Sequence, residues 1–226
     1  MESPETGSTA YIREIVNVKQ MLVDTYAIWL VFLLAVASFM SVSLVLRIYI
    51  NFTRGTDKIF EYLKSGSRPL GVIGLVVLIL SVIATAVQPL PDVDSLLVYG
   101  PFFDLGMLLF LMSYGMNVSR DLSYVGIFSL VTGVILLGYV ISGYYNLATH
   151  DILFFFVFYL LSGISSILLM PMLLVISEPK SSYLEKRFLD LHAGIPAGVK
   201  VIILFFSISL LVIGSVSILY VITALA

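Results

Sequence analysis

The stretch VIILFFSISLLVIGSVSILYVITAL, residues 201–225, holds 25 consecutive residues without a charged side chain. As a helix it would measure roughly 37 Å, which exceeds the roughly 30 Å of hydrocarbon in a bilayer. Apolar runs of about 18 residues or more with few charges are typical of transmembrane helices. This stretch therefore predicts a helix that crosses a membrane.

Five further runs of the same kind precede it. Together they predict spans at about 24–46, 69–90, 97–118, 122–146, 152–177 and 201–225. The composition agrees, because 60% of the residues are hydrophobic and 12% are charged, whereas soluble domains carry about 25% charged residues. We predict an all-α, polytopic integral membrane protein in which residues 24–226 form one bundle of six transmembrane helices. Residues 1–23 are predicted to be a polar N-terminal tail.

Lysine and arginine are distributed unequally between the two sides of these spans. One side receives ten of them: Arg47, Arg54, Lys58, Lys64, Arg68, Arg120, Lys180, Lys186, Arg187 and Lys200. The other side receives only Arg13 and Lys19. Cytoplasmic loops carry the excess of basic residues in membrane proteins. The pattern predicts a multi-pass protein of the cell membrane with its N-terminus and C-terminus outside.

Two short segments on the basic side carry helix signals. Within 56–66, a threonine and an aspartate can cap a helix whose end is marked by Gly66. Within 182–194, the sequence SYLE fits a capping box ahead of an apolar stripe. We predict two short amphipathic helices on the inner side of the membrane. Lys186 and Arg187 in the second are candidates for binding a cytoplasmic partner, and a simple solvated connector is the alternative.

Asp104 is the only acidic or basic side chain that lies inside an apolar run rather than at its end. If its helix begins near Ser95, Asp104 lies roughly 14 Å deep and is a candidate transport or proton-handling residue. If the helix begins at Pro101, proline takes the favoured first position and Asp104 caps free amides in the first turn. The second interpretation needs no special function, and the sequence favours it.

Pro171 is a candidate helix kink in the fifth span, because proline removes one backbone donor. Small residues also recur at helical spacing, in the pairs Ser129 and Gly133, Gly138 and Ser142, and Ser162 and Ser166. Such pairs let membrane helices approach closely. Packing within one chain is the simpler interpretation, and a weakly polar path or a subunit interface in an oligomer is the alternative.

The residues exclude most cofactor chemistry. The chain has no cysteine, and its two histidines, His150 and His192, are predicted to lie on opposite sides of the membrane. Together they cannot ligate one haem or one metal ion, so we expect no cofactor and no metal. His150 and Asp151 are outer polar candidates, with a helix cap at Asp151 as the alternative.

The third span carries three methionines: Met107, Met112 and Met116. Thioethers bind soft metals, but no histidine or cysteine lies near them. We therefore interpret these methionines as packing residues.

No residue set for covalent catalysis stands out, so we predict a non-enzymatic, membrane-embedded component of a transport or translocation system. Its expected partners are the lipid bilayer and membrane or cytoplasmic proteins, with nucleic acid entering only as a transported cargo. The alternative is a membrane enzyme or an accessory respiratory subunit acting on lipid or quinone. In the enzyme, Asp104 and His150 would serve as acid–base groups.

Overall fold

A computed structural model describes residues 6–53, 59–87, 95–118, 122–146, 152–176 and 197–225, and all of these except Leu122 are α-helical. The helices are α1 (Thr6–Thr53), α2 (Ile59–Val87), α3 (Ser95–Val118), α4 (Ser123–Asn146), α5 (Ile152–Ile176) and α6 (Ala197–Leu225). Each contains a segment long and apolar enough to cross a membrane: Tyr26–Arg47, Lys64–Val87, Leu97–Val118, Ser123–Ser142, Phe154–Leu174 and Lys200–Ala224. The prediction of an all-helical chain with six such helices is confirmed.

Two helix starts differ from the expectation. α1 begins at Thr6, so most of the predicted N-terminal tail is helical and continuous with the first apolar segment. α2 begins at Ile59 and runs through Gly66 and Pro69, so the predicted separate helix ending at Gly66 is wrong. A methyl group added at Gly66 would lie 2.5 Å from Cδ1 of Leu44, which shows that this glycine allows close packing against α1 instead of ending a helix. The second predicted inner helix, 182–194, lies outside the described residues.

The helices pack in a closed cyclic order, with α1 against α2, each helix against the next, and α6 back against α1. Consecutive helices run in opposite directions. Between α5 and α6, for example, Phe154 stacks on Tyr220 near one end and Ser165 meets Ser209 farther along. The connections 54–58, 88–94, 119–122 and 147–151 are short, which favours this arrangement for the first five helices.

Glycines bring the backbones of neighbouring helices into contact. A methyl group added at Gly74 of α2 would lie 2.8 Å from the carbonyl oxygen of Gly106 in α3. One added at Gly133 of α4 would lie 2.8 Å from the carbonyl oxygen of Gly163 in α5. Membrane helices use such positions because removal of the side chain increases the van der Waals contact between backbones. These two crossings fix α2 on α3 and α4 on α5.

The two ends of the helices differ in chemistry. At one end, where α1, α3 and α5 finish, the basic side chains whose exposure the structure describes are Arg47, Lys64, Arg68 and Lys200, and all four are exposed. We call this the basic end. The opposite end, where α3 and α5 begin, carries stacked aromatic rings and is called the aromatic end. At the basic end Asn117 of α3 donates a hydrogen bond to the Ser67 hydroxyl of α2 at 3.1 Å.

Helices α1 and α5 are the most enclosed. Within their apolar segments 56% and 50% of the residues are buried, compared with 33% in both α2 and α4. Buried faces of α1, α3, α5 and α6 therefore point toward the centre, while α2 and α4 lie at the periphery.

Candidate functional site

A cavity of about 90 Å³ lies between α1, α3, α5 and α6. Roughly 10–15 Å³ is enough to hold one water molecule, so this central cavity has room for several waters or a small solute. Its lining carries no charged side chain; leucine is the commonest lining residue, and aromatic, methionine and serine residues line it as well.

Five hydroxyls interrupt this apolar lining. They belong to Ser38 and Ser41 of α1 and to Ser162, Ser165 and Ser166 of α5. On each helix the serines stand three or four residues apart, which places them on one face. The small-residue pair Ser162 and Ser166 therefore faces the cavity, whereas Ser129 is fully buried and Gly133 packs on α5. Gly133 therefore packs within the chain, and a polar path through Ser162 and Ser166 stays a prediction.

Two of the five hydroxyls are already hydrogen-bonded. Ser38 donates to the carbonyl oxygen of Leu34 at 2.8 Å. Ser165 lies 2.8 Å from the carbonyl oxygen of Leu161 and 2.7 Å from the Ser209 hydroxyl of α6.

The other three cavity hydroxyls, those of Ser41, Ser162 and Ser166, make no hydrogen bond to another described residue. A buried hydroxyl without a partner costs free energy in an apolar environment. These three groups are therefore available to a molecule in the cavity.

Aromatic rings cover the cavity toward the aromatic end. Phe158 lines the cavity and stacks on Phe102 at 5.6 Å and on Phe154 at 5.7 Å between ring centroids. Phe154 in turn stacks on Tyr220 at 4.1 Å. Tyr159 packs edge-on against Phe102. We call these five residues the aromatic layer; it joins α3, α5 and α6 above the cavity.

The structure decides between the two interpretations of Asp104. α3 begins at Ser95 and Pro101 lies inside it, so the favoured interpretation, in which the helix begins at Pro101, is wrong. Asp104 follows Ser95 by nine residues, or roughly 14 Å along the axis. Its side chain is half-buried, is absent from the cavity lining, and makes no hydrogen bond or ion pair with another described residue.

Tertiary contacts explain why α3 continues through Pro101. The Tyr159 hydroxyl of α5 donates to the carbonyl oxygen of Val98 at 2.7 Å, within the turn that the proline interrupts. A methyl group at Gly100 would lie 2.5 Å from the Tyr139 hydroxyl of α4. Both contacts come from distant parts of the chain and hold this turn against its neighbours.

The remaining candidate residues are dispersed. Pro171 lies inside α5, which continues on both sides of it. His150, Asp151, Lys186 and Arg187 lie outside the described residues. Within the described part of the chain, no group of three histidine, aspartate or glutamate residues comes together in a way that could hold a metal ion. Neither Asp104 nor Pro171 lines the central cavity.

Sequence reasoning missed several residues that do line the cavity. Ser38 and Ser41 of α1 share a face with Leu34 and Leu44. Their spacing of three or four residues predicts this shared face from the sequence. Met172 of α5 lines the same cavity as Met112 and Met116 of α3. No pattern in the sequence shows this, because the two helices are separated by α4.

Residues 21–225 match the family described as "Protein of unknown function (DUF981)", so the chain belongs to that family. No curated protein and no solved structure matches the chain.

Proposed function

We propose that this DUF981-family protein is a non-enzymatic component of a transport or translocation system in the cell membrane. The six helices form a transmembrane bundle that works with membrane or cytoplasmic partner proteins. The observation that supports the proposal is the central cavity, which lies between four of the six apolar helices and carries hydroxyls inside a hydrocarbon lining. Ligand sites in helical membrane proteins lie at such places between helices.

The chemistry of the lining favours a small cargo that needs no charged side chain for its binding. A hard, strongly hydrated ion needs countercharges or several oxygen ligands when it leaves water, and the lining offers no charged side chain. Ser41, Ser162 and Ser166 can each donate and accept one or more hydrogen bonds. Binding could therefore replace part of a small solute's hydration without trapping it.

The basic end supports a particular orientation of the protein in the membrane. Arg47, Lys64, Arg68 and Lys200 are all exposed there. By the positive-inside rule this end faces the cytoplasm. Both chain termini then face outward.

The enzymatic alternative receives less support. It requires an acid–base group beside the space that holds the substrate, and Asp104 is not part of the cavity lining. The hydroxyls that do line the cavity have no histidine or lysine in the lining to activate them as nucleophiles.

Cysteine accessibility tests whether the cavity is a transport path. The chain has no cysteine, so a single introduced thiol is the only target. Ser166→Cys places it in the cavity, and Ser129→Cys places it at a fully buried position of α4 outside the cavity lining. In sealed vesicles we expect a membrane-impermeant thiol reagent to label Ser166→Cys and to spare Ser129→Cys. Equal resistance of both variants, in folded protein, contradicts the proposed path.

Partner binding is tested separately. Native mass spectrometry of the protein extracted from its own membrane in mild detergent reports partners and bound lipid together. We expect a partner whose recovery falls when Lys186 and Arg187 are both replaced by glutamate. The same charge reversal at Arg47 and Arg68 is the control. A partner that stays bound to both variants contradicts a docking role for Lys186 and Arg187.

A further inference from the structure

We propose that Met112, Met116 and Met172 form a binding site for a soft monovalent cation of the copper(I) or silver(I) class within the central cavity. All three side chains are buried and all three line that cavity. Such a site deepens the proposed function, because it names a soft metal ion as the cargo of the cavity. Binding of the ion does not depend on the proposed function; only its transport rests on that function.

The helices bring the three thioethers to one region. Met112 and Met116 stand four residues apart on α3, which places their Cβ atoms about 6 Å apart on one face. On α5, Met172 follows Phe158 by the same 14 residues by which Met116 follows Phe102. Phe102 and Phe158 are stacked and the two helices run in the same direction, so Met116 and Met172 lie at the same level across the cavity.

A hydroxyl of α1, the third helix that lines this part of the cavity, lies close to the same level. Leu44 of α1 packs on Gly66 of α2, and the next residue of α2, Ser67, is hydrogen-bonded to Asn117 of α3. Ser41 precedes Leu44 by nearly one turn and therefore lies close to the level of Met116. Its hydroxyl lines the cavity and makes no hydrogen bond to another described residue. It can supply an oxygen dipole beside the sulfur atoms.

The donor set determines which ion is selected. Thioether sulfur is a soft, uncharged ligand that favours copper(I) over magnesium, calcium or zinc. The lining has no carboxylate, imidazole or thiolate that a harder divalent cation would require. Methionine side chains have three rotatable bonds, so three of them in a cavity of about 90 Å³ can converge on one ion.

Copper(I) binding to the purified full-length chain tests the site, with bicinchoninate as the competing chelator and silver(I) as a second probe. We expect one copper(I) per chain, sulfur neighbours in the X-ray absorption spectrum, and no zinc(II) binding. Replacing Met112, Met116 and Met172 by leucine removes the thioethers and nearly conserves volume. We expect copper(I) affinity to fall by more than about 100-fold, because even changes around a metal's ligands cost 10–100-fold.

A matched control is available on the same two helices. Met107 of α3 and Met170 of α5 do not line the cavity, so the double leucine variant should bind copper(I) as the native chain does. The triple variant keeps His150 and His192, so loss of binding assigns the ion to the cavity methionines. If the triple variant does not fold, Met172→Leu alone should lower the affinity by about tenfold.

Three results would overturn the inference. They are no copper(I) bound by the native chain, native copper(I) affinity in the triple variant or in Met172→Leu, or the same loss of affinity in the double control variant as in the triple variant. These binding measurements do not depend on transport. Copper(I) binding without thiol labelling of Ser166→Cys would contradict the proposed path and leave the metal site standing. Thiol labelling of Ser166→Cys without copper(I) binding would contradict the metal site and leave the proposed path standing.

Discussion

Gly106→Ala should separate α2 from α3. The new methyl group would lie 2.8 Å from the Leu78 amide nitrogen and 2.9 Å from the Gly74 carbonyl oxygen, whereas ordinary contacts begin at 3.4 Å. Both opposing atoms belong to the backbone, so no side-chain rotation can relieve the overlap. The helices must move apart by about half an ångström at this crossing, where close packing supplies the attraction.

The cost of this change can be bounded. A gap of 0.5–1 Å forfeits about a quarter to a half of each van der Waals contact, and overpacked sites lose about 1–3 kcal/mol. Alanine also gains up to about 1 kcal/mol of helix propensity over glycine. Gly138→Ala has the same chemical change but no atom within 4 Å of the new methyl group. The free energy of unfolding of the two variants should therefore differ by about 1–3 kcal/mol, roughly 5–150-fold in the folding equilibrium.

Unfolding in mixed micelles by titration with a denaturing detergent measures this difference, with circular dichroism and the fluorescence of the single tryptophan, Trp29, as probes. We expect Gly106→Ala to unfold at lower detergent fraction than Gly138→Ala. Gly74→Ala should resemble Gly106→Ala, and the double variant should cost less than the sum because both methyl groups push the same helices apart. Equal stability of Gly106→Ala and Gly138→Ala would refute the backbone crossing.

Three other changes test single contacts. Tyr159→Phe removes the hydrogen bond to the Val98 carbonyl and should cost about 0.5–1.5 kcal/mol of unfolding free energy; an unchanged midpoint contradicts a role in supporting α3. Asp104→Leu should stabilise the protein by about 1–3 kcal/mol, because a carboxylate without a described partner is costly in hydrocarbon; loss of transport in a folded Asp104→Asn variant would instead establish a proton-handling role. Pro171→Ala supplies an N–H to the Ile167 carbonyl and should slow amide hydrogen exchange in that turn of α5. Equal exchange rates in the two proteins would show that neighbouring groups already stabilise this turn in the native chain.

Helix positions were predictable where the signal is local. The run 201–225 corresponds to the apolar segment Lys200–Ala224, and the run 122–146 corresponds closely to α4. Local signals failed at Gly66 and Pro101, where glycine and proline suggested helix boundaries. Both helices continue because residues of other helices pack against these turns, as Leu44 does at Gly66 and Tyr159 does beside Pro101.

The candidate site was the least predictable part. Asp104 and Pro171 drew attention because they are chemically unusual within an apolar run, yet neither lines the central cavity. Ser41 and Met172 are ordinary residues for a membrane helix, and they line it.

The sequence by itself determined the number of helices and the positions of their apolar segments. Burying a long uncharged segment in hydrocarbon requires every backbone group to be hydrogen-bonded within that segment, which a helix achieves without neighbours. Only the tertiary structure decided which face of each helix points inward. That choice depends on how closely pairs such as Gly74 and Gly106 approach, and therefore on residues far apart in the chain. The same packing places methionines of α3 and α5 around one cavity.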